Sequence, residues 1–224
     1  MSRFSLIALL IGLAGPVSAQ TAPSASEVAS YDGLFRAAHE GDVAGIEQLV
    51  AQGADVDARD TKGRTPVHVA AFASEDEALS ALAKAGADMN ALEHRAYDVV
   101  TIAAVADDPE LMSLAIELGN DPGLVTSPYL GTALIAAAHL GHAEVVRRLI
   151  MAGAPLDHVN NLHWTAVMEA VVLGDGGSDH QAVLDLLLSA GADRNLADRD
   201  GVTPLQHAEA RGYAEMVKRL KRKD

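Results

Sequence analysis

Apolar residues recur along the chain in short bursts of helical spacing, and polar turns separate the bursts at near-regular distances. One kind of burst is apolar and rich in small residues, as in Val67-His68-Val69-Ala70-Ala71-Phe72 and Ala133-Leu134-Ile135-Ala136-Ala137-Ala138. It predicts a short helix whose alanines let neighbouring helices approach closely. The other kind places apolar side chains on one helical face, as in Val145-Val146-Leu149-Ile150 and Val183-Leu184-Leu187-Leu188, and predicts a second helix. Thr65-Pro66 and Thr203-Pro204 mark starts of the first kind, with threonine as cap and proline where a missing N–H is no loss. Gly41, Gly141, Gly174 and Gly212 are expected to end it in the left-handed conformation. Turns such as Asp55-Val56-Asp57-Ala58-Arg59-Asp60 lead from one helix pair to the next.

The bursts are periodic. Gly53-Ala54, Gly86-Ala87, Gly119-Asn120, Gly153-Ala154 and Gly191-Ala192 follow one another at intervals of 33, 33, 34 and 38 residues. Thr65, Asp98, Thr132, Thr165 and Thr203 keep step at 33, 34, 33 and 38. A unit of this size cannot bury its own apolar face, so stacking of neighbours must supply the core. The interval of 38 reflects five extra residues, Asp175 to Asp179, between the two helices of one unit.

Asp60-x-x-Gly63-x-Thr65-Pro66-Val67-His68-x-Ala70-Ala71 resembles the ankyrin repeat signature. So does Thr132-Ala133-Leu134-x-Ala136-Ala137-x-x-Gly141-His142-x-x-Val145-Val146-x-x-Leu149-Ile150-x-x-Gly153-Ala154. The resemblance runs from about Asp32 to Lys221. It implies an all-α solenoid of about six helix–turn–helix units with β-turn fingers projecting from them. The units would be about 32–59, 60–92, 93–126, 127–159, 160–197 and 198–224. The third departs from the pattern, with Tyr97-Asp98 where Thr-Pro is expected, although Asp108-Pro109-Glu110 is a good start for its second helix. The resemblance also makes His68 a structural residue that ties adjacent turns.

Composition narrows the function. Thirty-one acidic residues against 17 basic ones give a net charge of −14, the wrong sign for nucleic acid or anionic lipid. The basic run Lys218-Arg219-Lys221-Arg222-Lys223 complements the dipole of a last helix and gives the final unit a polar outer face. With no cysteine there are no disulfides, thiolate chemistry or Cys-type zinc sites. Aromatics are 4% of the chain, while 42 residues are alanine, which suits close-packed helices better than a β-sandwich core.

Met1 to Gln20 reads as an export address. Arg3 gives a positive start, Phe4 to Ala14 is nearly all apolar, and Val17-Ser18-Ala19 is a cleavage site. The apolar run is about half the ~20 residues of a membrane-spanning helix. We therefore expect a signal peptide at 1–19, a linker at 20–31 and the repeat domain at 32–224, in a periplasmic or secreted protein with no membrane attachment after cleavage.

Nothing in the sequence suggests catalysis. There is no glycine-rich phosphate loop and no nucleophile elbow. The nine histidines include no HExxH pair, and Asp175 to Asp179 lacks the order of a calcium loop. The expectation is a monomeric, non-enzymatic module without cofactor or metal that binds another protein. An alternative is an accessory or protective factor for one periplasmic enzyme or toxin. A more remote one is a metal-binding or hydrolytic protein using the 175–179 loop. In ankyrin proteins, finger positions and residues near the end of the first helix usually meet the partner. Carried over, these are Arg64, Tyr97, Tyr129, Trp164 and Val202 from fingers, with Phe72, His139 and Leu173 from helices. The competing expectation is that Trp164 and Tyr97 pack between adjacent fingers.

Overall fold

A computed structural model of the chain describes residues 22–222. The expected export address lies outside these residues. Within them are thirteen α-helices and no strand, with one isolated bridge between Thr126 and Gly131. After α1 (Ala25–Ser30), the helices come as six successive pairs. They are α2 (Gly33–Glu40) with α3 (Val43–Ala51), α4 (Pro66–Ala73) with α5 (Asp76–Lys84), and α6 (Val99–Ala106) with α7 (Pro109–Glu117). Then follow α8 (Ala133–Leu140) with α9 (Ala143–Met151), α10 (Ala166–Val172) with α11 (Ser178–Ser189), and α12 (Pro204–Arg211) with α13 (Ala214–Lys221).

The first helices pack in a row, α2 on α4, α4 on α6, and so on to α12, and each second helix lies against its own first helix. One continuous core results, from Tyr31 and Leu34 at one end to Met216 and Leu220 at the other. The inner first helices are sequestered most fully, as the small-residue bursts require, while α2 and α12 at the two ends bury less. In α4 six consecutive residues, Pro66 to Ala71, are buried, and in α10 all seven are. Leu149 of α9 is fully buried. Leu149→Ala is expected to cost about 2–5 kcal/mol, read as a fall in the urea midpoint. A loss below about 0.5 kcal/mol would contradict a shared core.

Local chemistry sets the helix ends. Thr132, Thr165 and Thr203 cap their helices by accepting the N–H three residues on. Asp98 does the same for α6, and Asp108 with Pro109 starts α7. Thr65 shares its cap with His68, whose Nδ1 meets the Thr65 hydroxyl at 2.9 Å and whose Nε2 reaches the Tyr97 carbonyl at 3.1 Å. That is the expected tie between turns. Burial lowers the pKa of His68 to about 4, so the ring is neutral.

Gly41, Gly141 and Gly212 take the left-handed conformation at their helix ends. Gly174 does not, which corrects the sequence reading. It is glycine for a different reason: a Cβ there would lie 2.1 Å from the Ala170 carbonyl oxygen. Ser74 and Asp107 hold the left-handed position in their units, at φ 59° and 54°.

Two further readings change. Residues 20–31, read as a linker, contain the capped helix α1, and Tyr31 belongs to the core with its ring stacked on Phe35 at 5.4 Å. The extra residues 175–179 are an ordered turn, not a free loop. Asp175 accepts the Gly177 N–H, and Ser178 and Asp179 already form the first turn of α11, which at 12 residues outlasts the 9-residue α9. Tyr213 donates to the Gly174 carbonyl at 3.1 Å.

Candidate functional site

Each finger is a tight turn closed on itself. Asp60 N–H donates to the Arg64 carbonyl at 2.9 Å, and the same bond joins Glu93 to Tyr97, Asn160 to Trp164 and Asp198 to Val202. The side-chain oxygen of the first residue then accepts two N–H groups of the turn, as Asn160 Oδ1 does from Leu162 and Trp164. Neighbouring fingers are laced by backbone bonds: His94 to Lys62, Ser127 to Ala96, and Asn161 to Tyr129 at 2.9 Å.

The expected contact residues differ in exposure. Arg64 is 1% exposed, with its guanidinium 2.7 Å from Glu27 on α1 and 2.7 Å from Asp60. Tyr97 is 5% exposed. Both side chains are buried, so neither stands out on the surface as a finger contact. Trp164 and Val202 are half-buried. Tyr129 is 50% exposed and Leu173 is 42% exposed, so both are presented. Phe72 is half-buried and, with Ile102, Val105 and Leu111, walls a cavity of about 190 Å³ between the second and third units.

The structure adds residues that the motif comparison missed. Leu130, Val159 and Leu162 are large, apolar and exposed, and they sit on the same two fingers as Tyr129 and Trp164. His158 donates to the Leu130 carbonyl at 2.7 Å, and Asn161 to that of Pro128 at 3.1 Å, so the two fingers form one block. Leu130 and His163 hold φ values of 54° and 64°, a backbone region that favours glycine, and Gly63 and Gly201 occupy it in other fingers. Ala96 holds the same region in another finger, and Ser127 in the finger of Leu130. Among helix ends, Leu140 joins Leu173 as exposed, and His139 stands beside it.

Beneath His139 lies a buried acid. Glu169, on α10, is 4% exposed. Its Oε1 accepts from Asn160 Nδ2 at 2.9 Å, while Oε2 has no hydrogen-bond partner and lies 3.7 Å from His139 Nδ1. Burial pushes its carboxyl up to about 7, against the Asn160 bond, which lowers it. Burial and the nearby His180 lower the pKa of His139. His180 donates from Nε2 to the His139 carbonyl at 2.9 Å and faces Asp175 through Nδ1 at 3.0 Å. The inserted turn thereby clamps the end of α8. Among the described residues no three His, Asp or Glu side chains converge as metal ligands, and no helix is long and apolar enough to cross a membrane.

A family model described as ankyrin repeats (3 copies) matches residues 7–97 and 100–198. The chain belongs to the ankyrin repeat family. It is 33% identical over 185 residues to the ankyrin repeat protein YahD of Escherichia coli (strain K12), covering 82% of this chain and 92% of that one. An ankyrin repeat domain from Acinetobacter baumannii AYE superposes with a TM-score of 0.78 at 44% identity, over 84% of this chain and 95% of that one. A structure of the predatory endopeptidase Bd0816 from Bdellovibrio bacteriovorus in complex with immunity protein Bd3460 contains a chain of the same fold. The match there has a TM-score of 0.71 at 23% identity, over 87% of this chain and all of that one. Ankyrin repeats generally mediate protein–protein interaction, and members of the family are typically non-catalytic.

Proposed function

We propose that this ankyrin protein is an exported, periplasmic binding module that recognises one protein through the fingers of its fourth and fifth units. The observation that carries the reading is the paired block of Tyr129, Leu130, Val159 and Leu162, apolar side chains exposed on fingers that backbone bonds hold in register. Recognition requires a rigid surface with apolar anchors, and aromatic residues dominate such anchors. Trp164 is half-buried on the same block, and its ring is the second candidate anchor.

The test is capture from periplasmic extract on immobilised protein, followed by titration of the retained partner. Tyr129→Ala and Trp164→Ala should each weaken binding by at least about 2 kcal/mol, the scale of a hot-spot truncation. Unchanged affinity in both variants would place the contact elsewhere.

Export rests on Arg3, the apolar run and Val17-Ser18-Ala19. Mass spectrometry of the exported protein should find a chain beginning at Gln20. A soluble extracytoplasmic species that still begins at Met1 would refute cleavage.

A second reading is a protective factor that silences one enzyme. The endopeptidase–immunity complex supports it only through a shared fold. Under this reading the captured partner would be a hydrolase, and stoichiometric ankyrin protein would inhibit it.

A further inference from the structure

Among the described residues, Glu169 Oε2 is the buried side-chain oxygen or nitrogen left without a hydrogen-bond partner. A buried acceptor in this condition costs the free protein stability and calls for an explanation. Glu169 occupies the place filled by Val69 in the second unit, Ile102 in the third and Ala136 in the fourth. In the sixth unit the same place is His207, which donates to Asp198 at the base of its own finger at 2.7 Å. Glu169 likewise holds Asn160 at the base of its finger, but it keeps a second oxygen in reserve.

That oxygen is fully buried and lies 3.7 Å from His139 Nδ1. The group over it is the His139 ring, 28% exposed, at the last turn of α8. Leu140 and Leu173 stand exposed at the adjoining helix ends, and Trp164 is bonded to Asn160 through its backbone. A partner group can reach Glu169 only if the His139 side chain turns aside. A buried carboxylate with a free oxygen, on a chain of net charge −14, selects a cationic donor. The titratable group beside it is His139 on α8; behind that ring α11 brings His180, which is held by the His139 carbonyl and by Asp175.

We propose that Glu169 is the buried anchor for an arginine or lysine of the bound protein, which enters past His139 with apolar neighbours seated on the fingers. This deepens the binding reading above and rests on it. A proton is the competing occupant. With the carboxyl pushed up to about 7, the free protein is partly protonated near neutral pH, and seating a cation expels that proton.

The test can be run before the partner is identified. A library of random dodecapeptides displayed on phage is selected against the full exported chain and, in parallel, against Glu169→Gln, which keeps the shape and the Asn160 bond. Wild type should enrich peptides with one Arg or Lys flanked by apolar residues, and the variant should retain the apolar preference and lose the basic one. For a selected peptide, exchanging its basic residue for glutamine should weaken binding to wild type about tenfold or more, and to the variant less than about twofold. Affinity for wild type should rise from pH 6 to pH 8 and stay level for the variant. A consensus without a basic residue, or equal basic preference on both proteins, overturns the anchor but not the binding surface. Absence of any peptide weakened by Tyr129→Ala overturns both. If Glu169→Gln fails to fold, the peptide exchange on wild type decides alone.

Discussion

Replacing Glu169 with glutamine is expected to stabilise the free protein by about 3 kcal/mol at pH 8 and to leave it unchanged near pH 4. The folded carboxyl is raised from 4.5 to about 7, chiefly by burial, and each unit is worth about 1.4 kcal/mol. The sign follows from which state binds the proton more tightly. Here the native state does, so stability is full below pH 4.5 and falls as pH rises towards 7. Glutamine does not titrate, so the gap between variant and parent opens across that window and is flat above it. For a chain of this length about 3 kcal/mol corresponds to roughly 6–12 °C in Tm at pH 8. A gap of the same size at pH 4 and pH 8 would mean that packing, not ionisation, separates the two.

Arg64→Ala should be the most damaging substitution of a finger residue, at about 3–5 kcal/mol, because it removes a buried guanidinium and leaves Asp60, mostly buried, without its cation. Asp60 Oδ2 would keep only the Tyr31 hydroxyl at 3.1 Å, and Glu27 would lose the contact that pins α1 to the stack. The Ser24 backbone and side chain already hold the Glu27 carboxyl down to about 2, so it cannot escape by taking up a proton at neutral pH. Chemical denaturation of Arg64→Ala, Glu27→Ala and the double variant gives the coupling directly. The double variant should lose less than the sum of the singles. Strict additivity, or a loss below about 1 kcal/mol for Arg64→Ala, would show that α1 rests on the fold without capping it.

Much of this could be read from short-range chemistry. Thr203-Pro204 and Asp108-Pro109 announce helix starts because capping is settled within three residues. The repeat period announces the stack because the same solution recurs. What escaped depends on neighbours distant in sequence. The motif places Arg64 and Tyr97 where ankyrin proteins meet partners, yet whether a finger side chain points out or in depends on the next finger and, for Arg64, on a glutamate 37 residues earlier. Glu169 reads as one more solvated acid until the walls around it are known. Gly174 was legible as a required glycine but not for the right reason, since crowding against Ala170 and left-handed backbone leave the same letter in the sequence. Leu130 and Leu162 carry no motif at all, and only exposure distinguishes them from core leucines.

The lacing of fingers has a mechanical consequence. His94 binds the finger one unit before it, Ser127 the next and Asn161 the next. Tension along the axis therefore loads the links in series, and the weakest gives way while its neighbours hold. Each released unit of 33 residues pays out roughly 110 Å of extended chain. The ion cluster around Arg64 fastens α1 to the second unit at one end of this series.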